Sequence, residues 1–188
     1  AQTGFPPFSR FYDRKNAVSR FDPEKARSLL DEAGWRPGPD GYRYKEGRRL
    51  RLVVYTTAGN GRREKICALI RESWRALGIE VSTIFLDLTA FGGECLARGS
   101  FDLALLSREA DPTPGPSSPW HSGQIPRDGL GGGNYGGYAN REMDGLLAEA
   151  VKAGDEPRRK ALYRRIQEIL REDPPALFLN FSARIAAA

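Results

Sequence analysis

The chain has 188 residues, 40% of them hydrophobic and 28% charged, and carries a formal net charge of +5. That is the ordinary globular range, enough for one domain (or one large domain with a tail) and for a sizeable buried core. No stretch approaches the roughly 18 apolar residues of a membrane-spanning helix, and Cys67, Cys95 and the single His121 match no zinc-site spacing.

Residues Ala1 to Phe11 lack a basic start followed by an apolar stretch, so no signal peptide is visible; a mature or trimmed chain reads this way, and so does a cytosolic one. Both cysteines fall in predicted helices among apolar neighbours and are expected to be buried free thiols, although an oxidising compartment would allow a disulfide. The densest positive run is Arg158, Arg159, Lys160, Arg164, Arg165 and Arg171. Most of it falls on the outer face of one predicted helix, with no interleaved aromatics for base stacking. It reads as a solvated helix face in preference to a nucleic-acid surface.

The first twenty residues read as an irregular opening segment with Pro6, Pro7 and scattered aromatics. Asp22-Pro23 then starts a helix, because Asp caps and Pro fits the first helical position. Ala26, Leu29, Leu30 and Ala33 form its apolar stripe and Gly34 ends it. After a turn-rich stretch, Tyr42 to Tyr44 is expected to form half of a short hairpin, and Arg49 to Thr56 a strand with Leu50, Leu52 and Val54 on one face. Gly59-Asn60-Gly61 opens a helix with the stripe Ile66, Leu69, Ile70, Trp74 and Leu77, closed by Gly78. Ile79 to Leu86 is a second strand, Thr89 to Arg98 a shorter helix, and Phe101 to Leu106 an apolar run expected to be a central strand buried on both faces.

This order of strand, helix, strand, helix, strand predicts an α/β fold with right-handed crossovers. In such sheets ligands gather outside the carboxyl ends of the strands. Ser107 to Asn140 then holds five prolines and a glycine-rich run with no periodic element. A loop of that length in a compact domain is usually functional, and it begins where the last strand ends. Asn140 and Asp155 each cap a further helix, the first carrying Met143, Leu146, Leu147, Ala150 and Val151, the second Leu162, Ile166, Ile169 and Leu170. Pro174-Pro175 stops the second, and Ala176 to Phe181 is expected to be a last apolar strand.

Catalytic chemistry finds little support. Classical Ser/His/Asp or Cys/His catalysis has to run through His121, which sits in the long loop without a nucleophile elbow. Gly131 to Gly137 lacks the Lys-Ser/Thr of a phosphate loop and follows no strand. Trp120, Tyr135 and Tyr138 suit a small-molecule pocket, and equally suit a role in pinning the loop to its own domain. No catalytic residue, metal or cofactor is expected.

The segment Phe21-Asp22-Pro23-Glu24-Lys25-Ala26-Arg27-Ser28-Leu29-Leu30-Asp31-Glu32-Ala33-Gly34-Trp35 resembles a signature of family 5 extracellular solute-binding proteins, the oligopeptide-, dipeptide- and nickel-binding components of ABC importers. Further signatures follow in order: Trp74 to Val81, Gly99 to Leu103, Asp111-Pro112, Asn134 to Tyr138, Asn140 to Leu147 and Asp173 to Leu177. The resemblance implies one lobe, the domain III type, of a type II periplasmic-binding-protein-like fold, with a central mixed sheet, flanking helices and the long Pro/Gly-rich loop. Residues 1–20 would be a hinge-side segment and 21–185 the solute-binding lobe.

It further implies a periplasmic or extracellular protein, lipoprotein-anchored in a longer parent chain that supplies the missing first lobe. Such a protein delivers a peptide-like or other small solute to an ABC permease and does not bind nucleic acid. A ligand-sensing domain of a transcriptional regulator is the alternative. The expected ligand-binding residues are Tyr55, Thr57, Ser107, Arg108, Glu109, Asp111, Trp120, Asn134, Tyr135 and Tyr138. An ungapped alignment sets Tyr55 and Arg108 where dipeptide-type relatives are expected to carry an Arg and an Asp. That departure suits an anionic group on Arg108 and leaves Glu109 or Asp111 for an ammonium.

Overall fold

Among the described residues each of the four α-helix starts is fixed by a short polar side chain accepting from the amide three residues on. Asp22 takes the Lys25 amide at 2.9 Å, Asn60 that of Arg63 at 3.1 Å, Asn140 that of Met143 at 3.0 Å and Asp155 that of Arg158 at 2.8 Å. The resulting helices are α1 (Pro23–Glu32), α2 (Gly61–Arg75), α3 (Arg141–Lys152) and α4 (Glu156–Glu172). The computed structural model describes residues 4–14, 21–127 and 131–181. Their contacts divide the chain into two compact units: the described residues within Ala1–Ser19 and Arg108–Ala188, and those within Arg20–Ser107.

The unit of residues 20–107 is the α/β part. Three short antiparallel strands, β1 (Arg36–Pro37), β2 (Arg43–Lys45) and β3 (Arg48–Arg49), follow α1. Then β4 (Arg51–Thr57), α2 and β5 (Glu80–Leu86) form a parallel crossover, and β6 (Leu103–Ala104) joins the other side of β4. The sheet order is β5-β4-β6, all parallel, with Thr57 beside Leu86 and Tyr55 beside Ala104. Alternation along β4 sends Leu52, Val54 and Thr56 to one face. There Val54 packs with Cys67 of α2 and with Ile79 and Val81, flanked by Leu30, Ile70 and Trp74.

Gly78 closes the crossover at φ +80°, with Arg43 and the Gly41 carbonyl so near that a β-carbon would stand 2.9 Å from the Arg43 side chain. Only glycine fits both conditions. Arg43 itself, 4% exposed, is tied to Asp31 at 2.6 Å, to the Trp35 carbonyl at 2.6 Å and to the Leu77 carbonyl at 2.8 Å.

Several sequence expectations need correction here. Leu69 is 62% exposed, because it lies about 100° round the helix from Ile70 and leaves the narrow stripe centred on Cys67. Leu29 likewise faces outward, and α1 buries no residue fully. The short helix after β5 is π-helical over Ala90–Leu96. The Ala97 and Ser100 amides reach back five residues to the Gly92 and Cys95 carbonyls, at 3.1 and 3.0 Å. Gly92 and Gly93, poor α-helix formers, leave the backbone free to widen. Phe101 to Leu106 is neither central nor buried on both faces: only Leu103–Ala104 is laddered, at the sheet edge, and both residues are half-buried.

The other unit is an antiparallel helix pair wrapped by loop. Met143, Leu147 and Ala150 of α3 meet Tyr163, Ile166, Ile169 and Leu170 of α4. Phe5 and Phe11, from the opening segment, complete the core: their rings stand 5.5 and 4.7 Å from that of Tyr163. Arg164 and Arg165 of α4 point outward to ion pairs with Asp13 and with Glu142 and Glu168, as a solvated face requires. Ala176 to Phe181 forms no strand. It has no strand ladder among the described residues, and Leu177 and Leu179 are exposed. The segment after Ala183 and the alanines at the end lie outside the described residues.

Candidate functional site

The long loop is fastened to its own unit by polar side chains. Asn134, 3% exposed, donates to the His121 carbonyl at 3.1 Å and the Tyr138 carbonyl at 2.7 Å, and accepts from the Tyr138 amide at 2.9 Å. Both its donor hydrogens are thus used inside the loop, and the side chain positions its neighbours. Asp144 of α3 accepts from the Ser122 amide at 2.8 Å and the Ser122 hydroxyl at 2.5 Å, with His121 Nδ1 3.8 Å away. His121 Nδ1 accepts from the Gly123 amide at 2.9 Å. The serine hydroxyl therefore serves the carboxylate and not the imidazole, and these three residues make a clasp, not a nucleophile–base relay. Gly132 lies so close to Gln124 that a β-carbon would stand 2.1 Å from the Gln124 carbonyl oxygen.

Of the loop aromatics, Trp120 packs on the core and meets Phe178 edge-on at 5.3 Å, and Tyr138 packs on the same core. The Tyr138 hydroxyl is buried and makes no well-formed hydrogen bond among the described residues, and that burial, with the neighbouring Asp173 carboxylate adding to it, pushes the phenol up to about 12. Tyr135 is different. It lies under the guanidinium of Arg108, whose carbon stands 5.0 Å from the ring centroid. Arg108 also donates to the Gly133 carbonyl. Desolvation lowers its pKa, and the Tyr135 hydroxyl opposes that shift. No carboxylate pairs with Arg108 among the described residues. Glu109 and Asp111, both exposed, likewise have no ion-pair partner there; Asp111 accepts from the Thr113 amide at 2.8 Å and from the Thr113 hydroxyl at 3.5 Å. The structure thus gathers Arg108, Tyr135 and Asn134 in one loop cluster, with Glu109 and Asp111 following Arg108 along the chain.

In the α/β unit, Tyr55 and Thr57 lie at the carboxyl end of β4, on the face opposite Val54 and Thr56. Ser107 is exposed, three residues beyond β6. One functional candidate escaped the sequence reading. Arg63, in the first turn of α2, reaches back to the end of β4 and donates to the Thr57 hydroxyl at 2.5 Å. A concave surface of the unit is lined by Glu24, Arg27, Asp31 and Arg43 beside α1. Its charges neutralise one another, through Arg27 with Glu24 and Arg43 with Asp31.

Residues 1–126 match the family model of bacterial extracellular solute-binding proteins, family 5 Middle. The chain is 30% identical over 179 residues to the oligopeptide-binding protein AppA of Bacillus subtilis, covering 93% of this chain and 32% of that one. The solved structure of that protein in complex with a nonapeptide superposes with a TM-score of 0.81 at 28% identity, over 93% of this chain and 35% of that one. The oligopeptide-binding protein of Thermus thermophilus complexed with a pentapeptide gives 0.80 at 29% identity, over 94% and 32%. The chain therefore spans about a third of the length of these relatives.

Proposed function

We propose, starting from the fact that this chain belongs to the bacterial extracellular solute-binding proteins of family 5, that it is part of the solute-capturing component of an ABC importer and that its solute is peptide-like. The observation that carries this reading is the loop after β6. Arg108 is stacked on Tyr135 and unpaired by any carboxylate among the described residues, while Glu109 and Asp111 are carboxylates unpaired by any cation there. A rim presenting both signs of charge without internal neutralisation suits a zwitterion: the cation for a carboxylate, a carboxylate for an ammonium. Trp120, Asn134 and Tyr138 hold that loop in shape. From the α/β unit, Tyr55, Thr57 and Ser107 are the candidates for ligand contact.

In this reading residues 21–185 form one lobe and 1–20 its hinge-side segment. A longer parent chain, anchored as a lipoprotein, supplies the other lobe. The solute is held without covalent chemistry, and lobe closure presents it to a membrane permease. The relatives named above are binding proteins, and no observation favours the regulator alternative. The test is native mass spectrometry of the full-length parent purified without added ligand. A co-purified peptide mass, lost or reduced in Arg108→Ala, supports the reading; a co-purified solute with neither ammonium nor anionic group rules it out.

A further inference from the structure

The chain has a single histidine, and its imidazole stands between two partners that it cannot serve together. Nδ1 of His121 accepts from the Gly123 amide at 2.9 Å and so caps the single 3-10 turn Ser122–Gln124. Oδ1 of Asp144, on α3, lies 3.8 Å from the same nitrogen. A ring nitrogen that accepts carries no proton, so the imidazole in this arrangement is neutral, with its hydrogen on Nε2. Once protonated, Nδ1 becomes a donor: it has nothing to offer the Gly123 amide, and it is drawn to the carboxylate.

The surroundings favour that exchange of partners. Asp144 has no cation other than His121 within ion-pair distance among the described residues. Its oxygens already accept from the Ser122 amide and hydroxyl, and a carboxylate with about four acceptor sites has room for a third donor. Closing from 3.8 Å to a charge-assisted hydrogen bond takes a shift of about 1 Å. On the loop side, Ser118 and Asn134 are neutral, and so is the Tyr138 phenol, raised to about 12 and acted on by both Asp144 and Asp173. None of these changes charge in the range where imidazole titrates, roughly pH 5–8. The turn also bears on the rest of the loop. Its Gln124 carbonyl accepts from the Asn134 amide at 2.9 Å, and the next residue, Tyr135, carries the Arg108 guanidinium.

We propose that His121 is a proton-operated latch on the long loop: neutral, it holds the Ser122–Gln124 turn through Gly123; protonated, it leaves Gly123 for Asp144 and the turn opens. The closed turn binds one proton fewer than the open one. The latch is therefore shut above the titration of the ring and releases as pH falls through it.

The experiment is hydrogen exchange followed by mass spectrometry on the full-length parent protein, at about pH 5.5 and 7.5, with exchange times scaled for the intrinsic rates. In the wild type, peptides covering 118–125 and 131–138 lose protection at the lower pH, by up to about tenfold per pH unit, the slope of a single proton. In His121→Asn the side-chain oxygen accepts from the amide two residues on and takes up no proton, so protection is the same at both values. No extra exchange in the wild type at the lower pH, or an equal increase in His121→Asn, overturns the proposal. Should His121→Asn not fold, His121→Gln replaces it: exchange that is fast at both pH values supports the latch, and a pH dependence that persists overturns it.

A second arm carries the consequence for solute capture, which rests on the peptide reading above. Trialanine titrated calorimetrically at the same two pH values loses more affinity at the lower one for the wild type than for His121→Asn. Equal losses overturn the link between latch and solute. If trialanine binds at neither pH, the peptide reading fails, and the exchange measurement decides on the latch by itself.

Discussion

Asn134 and Tyr138 hold each other through their backbone and amide groups: the Asn134 side chain donates to the Tyr138 carbonyl at 2.7 Å and accepts from the Tyr138 amide at 2.9 Å. A third bond, to the His121 carbonyl at 3.1 Å, brings the two halves of the long loop together around one buried amide. Replacing Asn134 by Ala leaves two carbonyls and an amide without partners and costs about 2–4 kcal/mol. Urea denaturation of wild type and Asn134→Ala measures this. A loss under half a kcal/mol contradicts the role assigned to the side chain.

Gly132→Ala tests the same loop from its backbone. The added methyl would press on the Gln124 carbonyl, and neither chain segment can yield as a flexible side chain would. The expected destabilisation is about 1–3 kcal/mol. Gly131→Ala, whose β-carbon meets no atom within 4 Å, is the control and leaves the denaturation midpoint nearly unchanged.

In the α/β unit, Arg43→Met keeps the volume of the side chain and removes its three anchor points on Asp31, Trp35 and Leu77. Two backbone carbonyls lose their donor, and the expected cost is about 2–4 kcal/mol. Arg43→Lys recovers part of it. Thermal unfolding of the three proteins ranks them wild type, Lys, Met.

Alkaline pH weakens the helix-pair unit through Tyr138. Its phenol is raised in the folded protein to about 12 against 10.0 for the free group. Below pH 10 both states are protonated and the full stability is present. As pH rises from there through the folded-state value, the unfolded chain ionises first and stability falls. Tyr138→Phe removes that contribution, so its stability declines less steeply over the same range. Parallel slopes in a pH series of denaturation curves would count against the assignment.

Cys67 and Cys95 are both buried and free, and burial pushes both thiols up. Reagents that need an accessible thiolate react slowly with the native chain and quickly once denaturant opens it. A thiol-disulfide exchange dye followed with and without urea reads this directly. Fast stoichiometric labelling of the native protein contradicts the burial of these thiols.

What the sequence made legible was local. Asp22, Asn60, Asn140 and Asp155 each announce a helix within three residues of themselves, and all four caps form. The crossover from β4 to β5 was legible too, since its apolar pattern changes period at Gly59 and again at Gly78. What the sequence hid depends on distant partners. Phe101 to Leu106 and Ala176 to Phe181 have strand composition, yet a strand exists only where a neighbour completes its ladder, and the described residues supply little or none. The same holds for the candidate site. Arg108 is legible through its alignment with the ligand loop of the family it resembles, whereas Arg63 lies in a helix start, where an arginine reads as solvent-facing until its reach to Thr57 is seen.

The discontinuity of the helix-pair unit sets a schedule for synthesis. The Phe11 carbonyl and the Gln167 amide that binds it are 156 positions apart. At about 5–20 residues per second, Phe5 and Phe11 leave the ribosome roughly 8–30 s before α4 is complete. During that interval two aromatic rings destined for the interior have no interior to enter, while the intervening α/β unit has its own core cluster to assemble. The segment around Phe5 and Phe11 is therefore exposed to chaperone capture until α4 has been translated, and completion of that helix releases it.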